Sequence, residues 1–359
     1  MERSIPCAMP LEDVYPLYNF MSKCSRTFKQ FCILSAALDL KLFDLIDERQ
    51  TPERLSEIIG ADRSMIEDMC EILSHLGFLE KVTQGYRNTP ISRSFLRGAS
   101  LWNQGEVIKN LQAGFGLWER LTQICRDGPV NMNDDELFAK NNFIDSLQAE
   151  ILTGELQKTV SIISDLPEFT SAEKLLDLGG GHGLYAIAFS TLNPGLRAFI
   201  FDLPGLEQSA RAMMQRFHAT NVQFVPGNMY KDDYGKEYDV VFFSYSPGGR
   251  SPYILQKIHG CLKTGGLFVT KHAFYANEEG SKSRLLDLEW KLTAMKGIQK
   301  DKRIYSFVGD LSLEGYKALL EQKFTILKIA EAPEFGRPEL SKFGDTLDSI
   351  IIVAKKKHS

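Results

Sequence analysis

The sequence contains no run of about 18 apolar residues, the length that a helix needs to cross a membrane. Its first residues also lack the basic stretch followed by an apolar core that characterises a secretory signal peptide. We therefore predict no membrane span and a cytoplasmic location. With 359 residues, of which 43% are hydrophobic and 25% charged, the composition is that of a soluble globular protein long enough for two domains.

Spacings typical of metal ligands are also missing. The six cysteines form no C-x-x-C pair, and the six histidines are not spaced as metal ligands. This pattern favours a reducing compartment and predicts no metal site. The net charge of −4 gives no general attraction to nucleic acid.

The most informative stretch is residues 174–183, with the sequence KLLDLGGGHG. Apolar residues typical of a strand lead into a glycine-rich turn, and apolar residues return at helical spacing over 184–192. A strand, a glycine-rich turn and a helix in this order are typical of a site for a nucleotide-like ligand. Glycines suit it because they accept positive φ and let a ligand approach the backbone.

Two carboxylates accompany this turn. Asp202 ends the next predicted strand, a little over twenty residues after the first glycine, a spacing that suits hydrogen bonds to ribose hydroxyls. Residues 181–186 also fit the G-x-G-x-x-A pattern of dinucleotide sites, so NAD is an alternative. Against NAD stands Asp177, because a dinucleotide-binding strand is usually apolar at that point. We expect Asp177 to bind an ammonium group.

Further strands are predicted at 222–225, 238–243, 267–271, 324–332 and 349–354, with a linker near 164–173 and a charged helix over 284–296. The last two strands predict a C-terminal hairpin, which is unusual for a dehydrogenase.

The N-terminal part predicts a long helix over 11–47, with an apolar surface wide enough for a second subunit to cover part of it. A helix from Thr51 to Gly60, a helix beginning at Asp62 or Ser64, and a hairpin over 78–88 follow in the order of a winged helix. The second helix is acidic and would be repelled by phosphates, so we predict packing or dimerisation, and not DNA binding.

The sequence LDLGGGHG at 176–183, together with the terminal hairpin, resembles that of class I S-adenosylmethionine-dependent methyltransferases. The order of elements over nearly the whole chain resembles the two-domain small-molecule O-methyltransferases of the caffeate and acetylserotonin type. The resemblance implies an α/β fold: a Rossmann-like seven-stranded methyltransferase domain at 166–359, preceded at 1–165 by a mainly helical winged-helix domain. The latter would form a homodimer and roof the substrate pocket.

The resemblance further implies S-adenosylmethionine as cofactor, S-adenosylhomocysteine as product, and a small aromatic or apolar acceptor. Where the family usually has Gly-Asp-Met, this chain has Gly-Asn-Met, and the asparagine keeps an acceptor oxygen for the adenine amine. The predicted cofactor-binding residues are Asp177, Gly179, Gly180, Gly181, Gly183, Asp202, Leu203, Gly227, Asn228, Met229 and Ser244.

The family's catalytic histidine is missing from the loop at 244–252. We hypothesise that His272, after the fifth strand, replaces it as the base, with Asp310 orienting the imidazole. The alternative is that His272 only lines the pocket. Tyr245 is another catalytic candidate, although it could instead pack on the cofactor.

O-methylation is the expected reaction. Methylation of carbon, nitrogen or sulfur, a non-methylating reaction, and a ligand-sensing regulator remain alternatives.

Overall fold

The computed structural model describes residues 11–132, 141–246, 248–273, 284–295, 309–331, 334 and 349–358. The contacts within it divide the chain into two compact units, Met1–Lys109 and Asn110–Ser359. The functional boundary expected between residues 165 and 166 stays a prediction. Among the described residues, no helix has both the length and the apolar character needed to span a membrane.

The first unit is mainly helical. Its elements are α1 (Tyr15–Asp39), α2 (Leu42–Leu45), α3 (Pro52–Ile59), α4 (Arg63–His75), β1 (Leu79–Val82), β2 (Gly85–Asn88), α5 (Pro90–Phe95) and the start of α6 (Gly105–Glu119). The Thr51 hydroxyl caps α3 by accepting from the Arg54 N–H at 3.3 Å, and Asp62 caps α4 by accepting from the Met65 N–H at 2.9 Å. The two helices followed by an antiparallel hairpin confirm the predicted order.

One face of this unit stays apolar and exposed. Its core is formed by Ala37, Leu42, Phe43, Ile46, Leu55, Ile66, Cys70, Leu73, Leu79, Tyr86 and Leu96. Residues 15–28 of α1 contribute nothing to that core, and their exposed large side chains are Tyr15, Leu17, Tyr18, Phe20, Met21 and Phe28. An exposed apolar surface is therefore present, but it lies mainly before residue 28, whereas Ala37, Leu42 and Phe43, which the prediction counted in it, are buried.

A seven-stranded sheet organises the described part of the second unit. Its strands are β4 (Lys174–Leu178), β5 (Arg197–Asp202), β6 (Val222–Pro226), β7 (Tyr238–Ser244), β8 (Leu262–Ala273), β10 (Phe324–Glu331) and β11 (Ser349–Lys356). The strand order is β10-β11-β8-β7-β4-β5-β6. Strands β4 to β8 of this sheet run parallel, whereas β11 pairs antiparallel with β8 and with β10. The predicted strands and the terminal hairpin are confirmed.

Helices cover both faces of this sheet. The helices of this unit are α7 (Leu121–Asp127), α8 (Asn141–Ile151), α9 (Glu155–Ser164), α10 (Pro167–Thr170), α11 (Leu184–Leu192), α12 (Glu207–Arg216), α13 (Pro252–Cys261), α14 (Arg284–Lys291) and α15 (Leu313–Lys323). Of these, α9 to α12 pack on one face of the sheet, and α13 and α15 pack on the other. Alternate strand residues face opposite ways, so Leu175 packs in the core with α9 and α11, and Leu176 packs in the core with α13 and α15.

Two helices differ from the sequence-based expectations. The helix predicted over 11–47 is interrupted, because α1 ends at Asp39 and Lys41 has a φ of 54° before α2 begins at Leu42. Helix α14 ends at Lys291 because β9 (Thr293–Met295) pairs in parallel with β3 (Val130–Met132), so the predicted helix over 284–296 is too long. Residues of α9, which lies N-terminal to the expected boundary, pack in the core of the sheet.

A buried ammonium joins β8 to two helices. Lys271 is 0% exposed, and its Nζ donates to Glu155, to the Thr159 hydroxyl at 3.0 Å and to the Tyr185 hydroxyl at 2.9 Å. Because burial of the charge outweighs the attraction of Glu155, the pKa of Lys271 is lowered. The carboxyl end of β8 is thereby tied to α9 and α11.

We expect Glu155→Gln to lower the free energy of unfolding by on the order of 1–3 kcal/mol, since it removes the negative charge beside a buried cation. The control is Glu168→Gln, which breaks the more exposed pair with Lys355 and should cost less than about 1 kcal/mol. Urea denaturation measures both. Equal losses in the two variants would contradict the importance of the Lys271 cluster.

Candidate functional site

The glycine-rich turn lies at the carboxyl end of β4, at the sheet edge where α/β proteins bind ligands. The Gly179 N–H donates to the Phe201 carbonyl at 2.8 Å, which fixes the turn against β5. At Gly183, φ is 75° and a Cβ would lie 2.3 Å from Ile200 Cδ1, so only glycine fits. At Gly181 a Cβ would meet nothing within 4 Å, so this part of the turn faces open space that a ligand can enter.

Asp202 closes the turn from the neighbouring strand. Its Oδ2 accepts from the Gly181 N–H at 2.8 Å, and its Oδ1 accepts from the Leu203 N–H at 2.7 Å. Burial raises the pKa of this carboxyl, although the two backbone donors oppose that shift. The structure thus brings together the glycine turn and the carboxylate that the sequence placed opposite it.

Asp177 is the buried carboxylate beneath the turn. It is 1% exposed, its Oδ2 accepts from the Ala186 N–H at 3.3 Å, and a Cβ at Gly180 would lie 2.6 Å from its Cγ. Burial, with a further contribution from the charge of Asp202, raises the pKa of Asp177 to about 7. A cationic group beside this carboxylate would relieve that cost, so the site fits a ligand that carries an amine.

The loop after β6 holds the predicted adenine-binding residues. Gly227 donates its N–H to the Asp202 carbonyl at 2.8 Å, and Asn228 Oδ1 accepts from the Tyr230 N–H at 2.9 Å. That bond uses one lone pair of the Asn228 oxygen and leaves the other for a ligand. Met229 lies against the glycine turn, with its Cε 3.2 Å from where a Cβ of Gly179 would be.

A lysine that the sequence did not suggest anchors this loop. Lys257 on α13 donates from Nζ to the carbonyls of Met229 at 2.6 Å and Asp232 at 2.8 Å. The Tyr234 hydroxyl donates to the same Met229 carbonyl at 2.5 Å, and the ammonium lies 4.2 Å from the Tyr234 ring centroid. A lysine one turn into an amphipathic helix is usually solvated, so the sequence carried no signal for this contact.

Strand β7 ends at Ser244, and the turn that follows carries Tyr245 at a φ of 47°. The Ser246 hydroxyl donates to the Gly179 carbonyl at 3.3 Å and thus joins this turn to the glycine turn. The Tyr245 hydroxyl is hydrogen-bonded to the hydroxyl of Ser349 on β11.

His272 and Asp310 do not form the hypothesised pair among the described contacts. The Asp310 carboxylate accepts from Arg250 Nη2 at 2.8 Å. His272 is 5% exposed and lies edge-on to the ring of Phe243. Burial, together with the positive charges of Arg250 and Lys271, lowers the pKa of His272 to about 3. Its role as a base stays a prediction that this arrangement does not favour.

Two of the partners just described were missed from the sequence. Arg250 lies in the loop at 244–252, where nothing in the sequence indicated a buried ion pair. Lys271 is a charged residue within an apolar strand, which by itself is a signal for a buried partner. Over the part of the chain that the structure describes, no group of three or more His, Cys, Asp or Glu is placed to hold a metal ion.

Two family models match the chain. One describes an O-methyltransferase domain and covers residues 134–310, and the other describes an O-methyltransferase dimerisation domain and covers residues 23–98. The chain belongs to the O-methyltransferase family. The predicted family is therefore confirmed.

Relatives of this O-methyltransferase include an uncharacterised protein of Methanocaldococcus jannaschii, 36% identical over 347 residues, with 91% of this chain and 93% of that protein covered. Bovine acetylserotonin O-methyltransferase is 25% identical over 276 residues, with 69% and 78% covered. The solved structure of human N-acetylserotonin methyltransferase in complex with S-adenosylmethionine matches with a TM-score of 0.66 at 19% identity, over 98% of this chain and all of that one. The predicted fold is thus confirmed.

The raised pKa of Asp177 predicts how stability depends on pH. The folded chain keeps this proton up to about pH 7 and the unfolded chain loses it near pH 4, so this group destabilises the fold progressively between those values. We expect Asp177→Asn to leave stability unchanged at pH 4 and to raise it by on the order of 3 kcal/mol at pH 8. Urea denaturation at both pH values measures the difference.

Glu168→Gln supplies a control of opposite sign, because Lys355 lowers the pKa of Glu168. This variant should lose stability at pH 8 relative to pH 4. A gain for Asp177→Asn that is equal at both pH values would contradict the buried carboxylate described above.

Proposed function

We propose that this O-methyltransferase binds S-adenosylmethionine at the carboxyl edge of its sheet and transfers the methyl group to a hydroxyl of a small aromatic or apolar acceptor. The observation that carries the proposal is the buried Asp177 beneath an open glycine turn, with Asp202 across from it. Asp177 favours an amine, and Asp202 is suited to ribose hydroxyls. The two carboxylates together fit a ligand in which an amino acid is joined to a nucleoside.

The cofactor supplies a methyl group on a sulfonium, which a nucleophile displaces in line. The chain's contribution is to bind and align. Asp177 receives the ammonium, Asp202 the ribose hydroxyls, and Asn228 with Met229 the adenine, while the turns around Gly181 and Ser244 bring their backbones close. Excluding water and fixing the two reactants in line account for much of the rate that such a site can provide.

We propose that two copies of the chain form a homodimer through the first unit. Of the exposed apolar side chains of α1, Phe28 lies within the stretch matched by the dimerisation-domain model, and the other five directly precede that stretch. A homodimer that covers the side chains of this face would remove them from water, at roughly 25 cal/mol for each Å² of apolar surface. The predicted cytoplasmic location is kept as a prediction.

The test is calorimetry on purified, ligand-stripped protein with S-adenosylmethionine, S-adenosylhomocysteine and NAD. We expect the first two to bind and NAD to give no heat, because the site offers Asp177 for an amine that NAD lacks at the corresponding point. Formation of S-adenosylhomocysteine in the presence of candidate acceptors then reports transfer. Binding of NAD alone would overturn the proposal, and cofactor binding without transfer to any acceptor would favour the non-methylating alternative.

Two variants should separate the ends of the cofactor. Asp177→Asn should weaken S-adenosylhomocysteine at least about tenfold and leave 5′-methylthioadenosine, which has no amino-acid portion, nearly unchanged. Lys257→Met should weaken both ligands to a similar extent, because it loosens the loop at Met229. Lys263→Met is the control, since that lysine pairs with Asp239 at the other end of β7. Calorimetry gives each affinity, and equal responses of the two ligands to Asp177→Asn would contradict its placement at the ammonium.

A further inference from the structure

The backbone of the turn between β7 and α13 covers the imidazole of His272. The Gly249 N–H donates to the Ser246 carbonyl at 3.1 Å, and the Ser251 N–H donates to the Gly248 carbonyl at 2.9 Å, so the described residues form a tight double turn. A Cβ at Gly249 would lie 2.1 Å from His272 Cε1. The turn backbone therefore lies directly against the ring, and His272 Nε2 and Nδ1 are 2.2 and 2.4 Å from the same Cβ position.

A buried ion pair holds the turn in this position. Arg250 and Asp310 have side chains 5% and 3% exposed, and Arg250 Nη2 donates to Asp310 Oδ2 at 2.8 Å. The Leu311 N–H also donates to the Arg250 carbonyl at 3.3 Å. A hydrogen-bonded pair removed from water costs much to break, so the turn is fixed and the Asp310 carboxylate is engaged by a guanidinium.

The tyrosine of the turn is equally unsuited to accept a proton. Its hydroxyl is hydrogen-bonded to that of Ser349, and the protein atoms packed around the hydroxyl, together with the negative charge of Glu155, raise the pKa of Tyr245. On the imidazole side, burial makes His272 harder to protonate, and the positive charges of Arg250 and Lys271 add to that effect.

Resting on the proposed function, we propose that the acceptors of this enzyme are acidic phenols or enols that enter the site already ionised, because neither the covered imidazole nor the engaged Asp310 is placed to take a proton from them.

The step balances without an enzymatic base. The acceptor oxyanion attacks the methyl carbon, an O–C bond forms, and the C–S bond breaks with its electron pair going to sulfur. The negative charge of the acceptor and the positive charge of the sulfonium cancel, and no proton moves. An acceptor of ordinary phenolic acidity, with a pKa of about 10, would be ionised only to about one part in a thousand at pH 7.

The experiment compares three phenols of similar size and decreasing acidity: 4-nitrophenol, 3-nitrophenol and 4-methylphenol. S-adenosylhomocysteine formation by the wild-type protein is followed from pH 5.5 to 9.5. We expect kcat/KM at pH 7 to fall by at least about tenfold from the first phenol to the last. The pH midpoint should move with the pKa of each phenol.

A midpoint shared by all three phenols would assign the titration to a group of the enzyme and overturn the inference. Faster transfer to 4-methylphenol, or to a neutral amine, than to 4-nitrophenol at pH 7 would also overturn the inference. Each of these results would still establish the protein as a methyltransferase. Failure to bind S-adenosylmethionine in calorimetry would instead remove the proposed function, which keeps the two failures apart.

A measurement without turnover uses the visible absorbance of ionised 4-nitrophenol. We expect the pKa of 4-nitrophenol to be lower in the presence of the protein and S-adenosylhomocysteine than in buffer alone. If the pKa of 4-nitrophenol in the presence of protein equals its pKa in buffer, the inference is overturned. This holds even where none of the three phenols is methylated.

Discussion

The carboxylate of Asp202 joins two strands at the point on which the site depends. One oxygen accepts from the Gly181 N–H and the other from the Leu203 N–H, so the glycine turn after β4 and the end of β5 form one rigid unit. Because the strands are parallel, the turns after β4, β5, β6 and β7 meet at one edge. Asp177 lies beneath the glycines of this turn. The Gly227 N–H donates to the Asp202 carbonyl, which fixes the loop after β6 to the end of β5.

Two buried cations define the other end of the site. Lys271 reaches Glu155 on α9, and the adjacent His272 lies on the opposite face of β8 near Arg250, which is paired with Asp310. Both pairs hold helices or loops against the sheet. Burial lowers the pKa of the His272 imidazole, and both cations add to that effect. The groups that stabilise this edge therefore also weaken the basicity that a catalytic histidine would need.

Sequence reasoning succeeded where the signal is local. The caps of α3 and α4, the alternation of the strands and the glycine turn each depend on residues within a few positions of one another, and they appear where they were expected. The spacing from Gly181 to Asp202 also held, because a strand–helix–strand unit has little freedom in length. The helix over 284–296 failed because β9 pairs with β3, more than a hundred residues away.

By itself, the sequence determined the order of helices and strands, the edge of the sheet that holds the glycine turn, and the family. Only the tertiary structure decided which side chains become partners. Arg250 and Asp310 are 60 residues apart in the chain, and Lys271 and Glu155 are 116 apart. Periodicity and spacing carry no information about such contacts, since a buried charge takes whichever opposite charge the fold brings within reach. The pKa of His272 follows from its burial in the fold and from the nearby charges of Arg250 and Lys271.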